Sequence, residues 1–205
     1  LSKGKWMMFG DFLAQGIYTD KNENELIEAI KSKVGANISE CRLDKNIRNV
    51  RNVALAAVEL SGLDQKPYSI YNKTEVGVNI NWYNNDDEQI DQIKKAFKFF
   101  KKRKYPIDSI LVLSAFKYKN SIMSKIKSEI PLIEDISSSH SNKSAKFSTI
   151  HAFKGLEIEH VLVVDIDQIS SPEMMELLYN AATRSTYSLT LTMDMKLFDL
   201  YNRRS

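Results

Sequence analysis

The chain has little of what marks a secreted, membrane-bound or metal-built protein. Its 205 residues include one cysteine, Cys41, so no internal disulfide can form, and a lone thiol suits a reducing cytoplasm. Cys41 lies near an expected strand and reads as a buried structural thiol rather than a nucleophile. Three histidines beside that one cysteine supply no clustered ligand set for a metal. No apolar run approaches the roughly 20 residues of a membrane-crossing helix, and no secretory leader opens the chain. There is no internal repeat and no low-complexity linker. A strong excess of one charge sign is missing too: the net charge of +3 permits nucleic-acid binding without arguing for it. What remains is an ordinary soluble balance, 27% charged and 43% hydrophobic. The length suits one domain, or one domain and a remnant, with ample size for a core.

One stretch organises the rest: Ser148–Asp167, STIHAFKGLEIEHVLVVDID. The run Val161-Leu162-Val163-Val164, closed by Asp165 and Asp167, reads as a fully buried strand of a parallel sheet. Before it, a compact polar turn carries Thr149, His151, Lys154, Gly155 and Glu157. Gly155 lets backbone approach a ligand that a side chain would hold off. Each of these residues alone could be a solvated turn residue or a helix cap; together they point to a site.

Around this stretch strands and helices alternate. Lys5–Phe9 reads as a short strand running into Gly10-Asp11, and Asn22–Val34 as a surface helix with Leu26, Ile27, Ile30 and Val34 on one face. A helix is expected from about Asn49 to Leu60. Val76, Val78, Ile80 and Trp82 alternate as a strand, and Asn84–Asp87 forms a turn and helix cap. The next helix, about Glu88 to Arg103, turns Ile90, Ile93, Phe97 and Phe100 to one side and ends in Lys101-Lys102-Arg103-Lys104. It reads as a helix covering a sheet with its lysines in water, in preference to a membrane or partner site. Ile110–Leu113 is a second buried strand, with a helix expected after Phe116 through Ile130, where Pro131 stops it. Ser137–Ser144 has the composition of a flexible loop, and His140 in it reads as solvated. Pro172 opens a helix through Thr183, and Leu189–Met193 is the closing strand.

The string Thr149-x-His151-x-x-Lys154-Gly155-Leu156-Glu157 resembles the fifth motif of the UvrD/Rep-like superfamily one helicases at all six defining positions. Three further strings resemble motifs of that family, in order. Gly10-Asp11, Gln15 and Ile17-Tyr18 resemble the third, with three residues rather than two between Asp and Gln. Leu43-Asp44-Lys45-Asn46-Ile47-Arg48 resembles the fourth, with Ile47 where the family has an adenine-packing tyrosine. Leu177-Leu178-Tyr179-Asn180-Ala181-Ala182-Thr183-Arg184 resembles the sixth, with Asn180 and Ser185 departing from the common types. A Gly-x-x-x-x-Gly-Lys-Thr loop and an acidic strand before Gly10, which the family carries on its first lobe, are absent from these residues.

The resemblance implies an α/β, RecA-like fold of the P-loop NTPase type without the P-loop itself: a mostly parallel sheet flanked by helices. It implies the end of a first lobe and a connecting helix over 1–40, and the second lobe, a UvrD-like helicase C-terminal domain, over 41–205. Leu1 in place of Met fits a fragment of a longer chain. By the resemblance, Arg48, Arg184, Gln15 and Gly155 would face the γ-phosphate of ATP and Glu157 its ribose. Mg²⁺ and most phosphate ligands would sit on the first lobe of the same protein. Thr149, His151 and Lys154 would touch single-stranded DNA, with RNA left open, while Tyr18 would stack on a base or be a core tyrosine. The implied protein is a cytoplasmic, ATP-dependent helicase or translocase with no membrane contact, of which the 205-residue chain alone would not turn over ATP. The alternative is a degenerate lobe that only docks nucleic acid or protein.

Overall fold

The computed structural model describes residues 28–29, 31–33, 45–62, 69–70, 77–126, 128–134 and 143–203. Gly10, Asp11, Gln15, Tyr18, Cys41, Leu43, Asp44 and His140 lie outside them, as does most of the expected helix at 22–34, of which 28–29 and 31–33 are helical. In chain order the described elements are β1 (Lys45–Asn46), α1 (Arg51–Ser61), β2 (Ser69–Ile70), β3 (Val78–Tyr83), α2 (Asp86–Lys102), β4 (Ile110–Ser114), β5 (Leu132–Ile133), β6 (Ala145–Thr149), β7 (Ile158–Ile166), α3 (Pro172–Thr183), β8 (Ser185–Asp194) and α4 (Phe198–Asn202).

Six strands form one sheet in the order β3-β8-β7-β4-β6-β5, and each neighbouring pair runs parallel. Parallel strands need crossovers on the sheet faces, which bury both sides. That is why β4 and β7 read as unbroken apolar runs. Along them the pleat sends alternate residues to two separate cores. Leu111, Leu113, Val161, Val163, Leu189 and Leu191 meet α1 and α3 on one face. Ile110, Val112, Phe147, Leu162 and Val164 meet α2 on the other, against Ile93, Ala96 and Phe100. This is the α/β sheet flanked by helices that the sequence implies.

The helix starts follow local chemistry. Asn85 caps α2 by accepting from the Glu88 N–H at 3.0 Å, and three acidic residues, Asp86, Asp87 and Glu88, occupy the first turn. Ser171 caps α3 at 3.1 Å from the Met174 N–H, with Pro172 following it.

One expected helix is not there. Between Phe116 and Ile130 the chain forms two 3₁₀ turns, Tyr118–Asn120 and Ile122–Ile126. Asp165 is the reason: its carboxylate accepts from Ser114 Oγ at 2.6 Å, Ser121 Oγ at 2.6 Å and the Ile122 N–H at 3.1 Å. Pinning Ser121 in this way interrupts the helical ladder, yet Ile122, Met123 and Ile126 are still buried. Asp165 itself sits at φ +61, where β7 shifts register against β8. Strands β5 and β6 also go beyond the sequence reading. Thr149 is therefore the last residue of a strand rather than part of the turn.

Candidate functional site

Thr149 pairs with Ser114 at the end of β4, and His160 pairs with Ile110 at its start. Ile158 lies two residues further back, so the segment 150–157 descends about six residues of strand, roughly 20 Å. It crosses from the C-terminal edge of the sheet to the N-terminal edge. Two buried anchors hold it against the α1/α3 face, Ile150 and Phe153. Local bonds tighten it: Thr149 Oγ1 accepts from the Ala152 N–H at 3.2 Å, and the Phe153 N–H donates to the Thr149 carbonyl at 3.2 Å. Gly155 has φ +85, and a Cβ there would meet nothing within 4 Å. The left-handed backbone requires the glycine, and the space beside it is open.

The polar residues of this motif thus divide between two edges. Thr149 and the exposed His151 lie at the C-terminal edge. Lys154 lies between and is half-buried. Its charge reaches Glu176 on α3, whose carboxyl is pushed up by burial and to a lesser extent by Glu173, with Lys154 opposing the rise. Glu157 lies at the N-terminal edge, where it meets Arg48: Nε is 3.0 Å from Glu157 Oε2.

Arg184 completes this second group. The last carbonyls of a helix have no intrahelical donor, and Arg184 supplies donors at the end of α3. Its Nε donates to the Asn180 carbonyl at 3.1 Å, and Nη2 to Thr183 Oγ1 at 3.3 Å. Nη1 donates at 3.1 Å to the carbonyl of Leu156, in the crossover. The residue is only 2% exposed. Burial draws its pKa down from the ordinary arginine value, the Arg48 charge adds to the fall, and Glu157 opposes it. The guanidinium nevertheless stays charged, as arginine does in proteins. Two guanidiniums and the Glu157 carboxylate, from three distant segments, meet at this edge, with the Glu159 carboxylate near Arg48.

Asn49 fastens the group, and sequence reasoning passed over it. It is buried, and its Nδ2 donates to the carbonyls of Thr183 at 3.1 Å and Ser185 at 2.6 Å. Its Oδ1 accepts from Asn46 Nδ2 at 3.2 Å. Asn46 Oδ1 in turn accepts from the N–H groups of Arg48 at 3.1 Å and Asn49 at 3.0 Å. The Val50 N–H donates to the Thr186 carbonyl at 3.3 Å. The loop that carries Arg48 is therefore tied to the segment that carries Arg184. Its signal was two asparagines three apart, a turn pattern, just before an apolar helix. Ile47, in the same loop, is 73% exposed.

Arg48, Gly155, Glu157 and Arg184 thus converge at one edge, Thr149 and His151 stand at the other, and Gln15 and Tyr18 lie outside the described residues. Among the described residues no group of three or more His, Cys, Asp or Glu could hold a metal. No described helix is long and apolar enough to cross a membrane.

The fold is of the α/β class, a six-stranded parallel sheet with helices on both faces. Residues 144–192, from the start of β6 into β8, match the family of the UvrD-like helicase C-terminal domain. Among solved structures, the fold is similar to that of the C-terminal domain of a possible DNA helicase from Lactobacillus plantarum WCFS1 (TM-score 0.58, 15% identity, covering 72% of this chain and 87% of that one). No curated protein matches the chain. The family match and the shared fold support the UvrD/Rep-like C-terminal lobe that the motifs indicate.

Proposed function

We propose that this chain is the C-terminal motor lobe of an ATP-dependent DNA helicase or translocase. One observation carries the reading: Arg48, Glu157 and Arg184, far apart in sequence, converge at one sheet edge, with two guanidiniums close enough to perturb each other. A rigid cation pair suits the oxygens of a transferring phosphoryl group, because guanidinium geometry matches them and developing charge must be met there.

Arg48, which is exposed, is the proposed direct contact to the γ-phosphate, beside the open space at Gly155. Arg184, buried with all three nitrogens bonded to protein, joins it from the resemblance and would have to exchange one of those bonds to do so. Glu157 pairs with Arg48 and, as the resemblance implies, would accept from a ribose hydroxyl. Magnesium-bound ATP, when present, supplies the phosphoryl group that is passed to water. Its metal and most of its phosphate contacts belong to the preceding lobe in this reading. Thr149 and His151, at the opposite edge, and Lys154, between the two, would touch the phosphate backbone of single-stranded DNA or RNA. Gln15 and Tyr18 join the proposal from the resemblance alone, as a γ-phosphate contact and a base or core tyrosine. The cytoplasmic setting is likewise part of the proposal.

Arg48 gives the cleanest test, since its side chain is exposed and its removal should leave the fold intact. In the full-length polypeptide, Arg48→Ala should lower strand-stimulated ATP turnover by roughly 10³-fold. Arg184→Lys, which keeps charge but loses the planar fork, should fall similarly, and the double variant should lose much less than the product. Near-normal turnover in a folded Arg48→Ala protein would remove this edge from the active site. The exposed Ile47 favours a second reading, a degenerate lobe that only docks nucleic acid or protein. It predicts strand binding with no ATP turnover in the full-length polypeptide.

A further inference from the structure

Helix α2 runs from the end of β3 to the start of β4, so it passes from the C-terminal edge of the sheet back to the N-terminal edge. Charge is sorted along it. Asp86, Asp87, Glu88 and Asp91 stand at its start, whereas 94–104 holds basic residues and no acidic one. Glu129 pairs with Lys94 at 2.8 Å. Lys95, Lys98, Lys101, Lys102, Arg103 and Lys104 are all exposed, and among the described residues no carboxylate pairs with them. The fold needs only the other face, where Ile93, Ala96 and Phe100 are buried against the sheet. Lys95, Lys98 and Lys102 form a stripe opposite that face, within about 10 Å along the axis. Like charges three and four residues apart repel, and the helix dipole favours cations only in the last turn. Lys104 is held at a further cost. It sits at φ +58, while its own N–H and that of Tyr105 donate to the Lys101 and Phe100 carbonyls at 3.0 Å and 3.1 Å. Glycine usually closes a helix in this way; here a cation takes the left-handed position.

We infer that this basic stripe docks the phosphate backbone of duplex nucleic acid, on a surface separate from the edge that carries Thr149 and His151. The kind of partner follows from what α2 keeps covered. No large apolar side chain of the helix is exposed. Phe99 is half-buried, with the Arg103 guanidinium over its ring, 5.3 Å from the centroid. The stripe thus lacks the open ring on which a single strand stacks its bases. It equally lacks the apolar anchors of a docked peptide and the apolar face with which a helix lies in a membrane surface. What it offers is charge in a line. A duplex presents the complement, one phosphate per roughly 1.7 Å of axis, hence about six over the length from Lys95 to Lys102. The acidic start of α2 confines the attraction to the half of the helix nearer the N-terminal sheet edge. The choice of nucleic acid among polyanions rests on the function proposed above; the surface itself does not.

The test is a salt series of binding by the 205-residue chain to a blunt-ended duplex, to one of its strands alone and to poly-glutamate, read by anisotropy. The triple variant Lys95→Gln, Lys98→Gln, Lys102→Gln changes exposed side chains and should melt like the parent. It should weaken the duplex roughly tenfold or more and flatten the slope of log K against log salt by about three. Arginine at the same three positions should restore both. Single-strand affinity should stay near that of the parent, and poly-glutamate should bind more weakly than the duplex. An unchanged slope, or an equal loss for the single strand, would overturn the duplex surface. Poly-glutamate held as tightly as the duplex, and lost in the same variant, would overturn it in favour of an acidic protein partner. His151→Ala separates this inference from the function proposed above, since it should weaken the single strand and spare the duplex. If the triple variant loses the duplex while His151→Ala leaves the single strand untouched, the stripe stands and the single-strand edge falls.

Discussion

Asn49→Ala isolates the joint that holds the proposed site together. The side chain makes two donor bonds, at 3.1 Å and 2.6 Å, to carbonyls 134 and 136 residues away, and accepts one at 3.2 Å. One acceptor, Thr183, belongs to the last turn of α3, where no intrahelical donor exists. Truncation leaves two carbonyls without this donor and opens a small void. At about 1 kcal/mol per lost neutral bond, with a further penalty for groups left unsatisfied, the loss is about 3 kcal/mol. With a urea slope of about 2 kcal/mol/M, the unfolding midpoint should fall by about 1.5 M. Asn49→Leu keeps the volume but not the donors, and should fall at least as far. Asn49→Asp sets a carboxylate against carbonyl oxygens and should be worse still. A midpoint shift below about 0.3 M for the alanine variant, on the same scale, would show that the loop does not depend on this amide. The same variants should loosen Arg48, so tripolyphosphate binding should weaken even where the protein remains folded.

Other perturbations follow from single observations. His160 is buried neutral, its pKa drawn down to about 4 by burial; Glu159, 3.7 Å away but largely in solvent, does not reverse this. Above an unfolded-state value near 6.5 the residue costs nothing, and stability should decline as pH falls from there toward 4, by about 3 kcal/mol in all. Urea midpoints of His160→Phe, which cannot titrate, should show a flatter pH profile across that window, and an unchanged profile would refute the buried-neutral state. Gly155→Ala should cost about 1–2 kcal/mol from its left-handed backbone alone, since nothing crowds the new methyl; a loss above about 4 kcal/mol in thermal melts would mean crowding instead. In the full-length polypeptide, His151→Ala should weaken single-strand binding alike across sequences, because phosphate contacts carry no base information. A loss confined to one sequence, read by fluorescence anisotropy, would mean base readout.

The parts of this fold legible in the sequence are those set by local chemistry. β4 and β7 declare themselves as apolar runs because both faces are covered, and the Asn84–Asp87 turn and Pro172 mark helix starts that the structure reproduces. The expected helix after Phe116 failed because its competitor is remote. Asp165, 44 residues beyond Ser121, takes the hydroxyl and the amide that a continuous helix would have left alone. Likewise Asn49 reads locally as a turn residue, and only the fold brings the carbonyls of Thr183 and Ser185 to it. Arg184 is the mixed case. Its charge at a helix end is ordinary in sequence, and only the structure shows that its three bonds to protein groups cap the helix and reach the crossover. The packing of the Tyr105, His160 and Tyr187 rings against one another has no sequence signature, since three segments supply one ring each.

Within the proposed function, the capping bonds of Arg184 have a mechanical consequence. The guanidinium is bonded to Leu156, at the foot of a crossover whose other end is Thr149, on the opposite sheet edge. The crossover is short for the distance it spans and is anchored at Ile150 and Phe153 in a close-packed core. A displacement at its foot therefore cannot be absorbed by slack in a loop. It must either be resisted by the core or be passed toward Thr149 and His151. A charge change next to Arg48 and Arg184 acts on that foot through the Leu156 carbonyl and through Glu157. Nucleotide state at one edge would then bias the grip on a strand at the other through a single eight-residue segment. Its one left-handed position, Gly155, stands beside the foot, where the backbone has least steric restraint. The motif at 149–157 is on this view a linkage as well as a set of contacts, which is why its polar residues are split between two edges instead of gathered in one site.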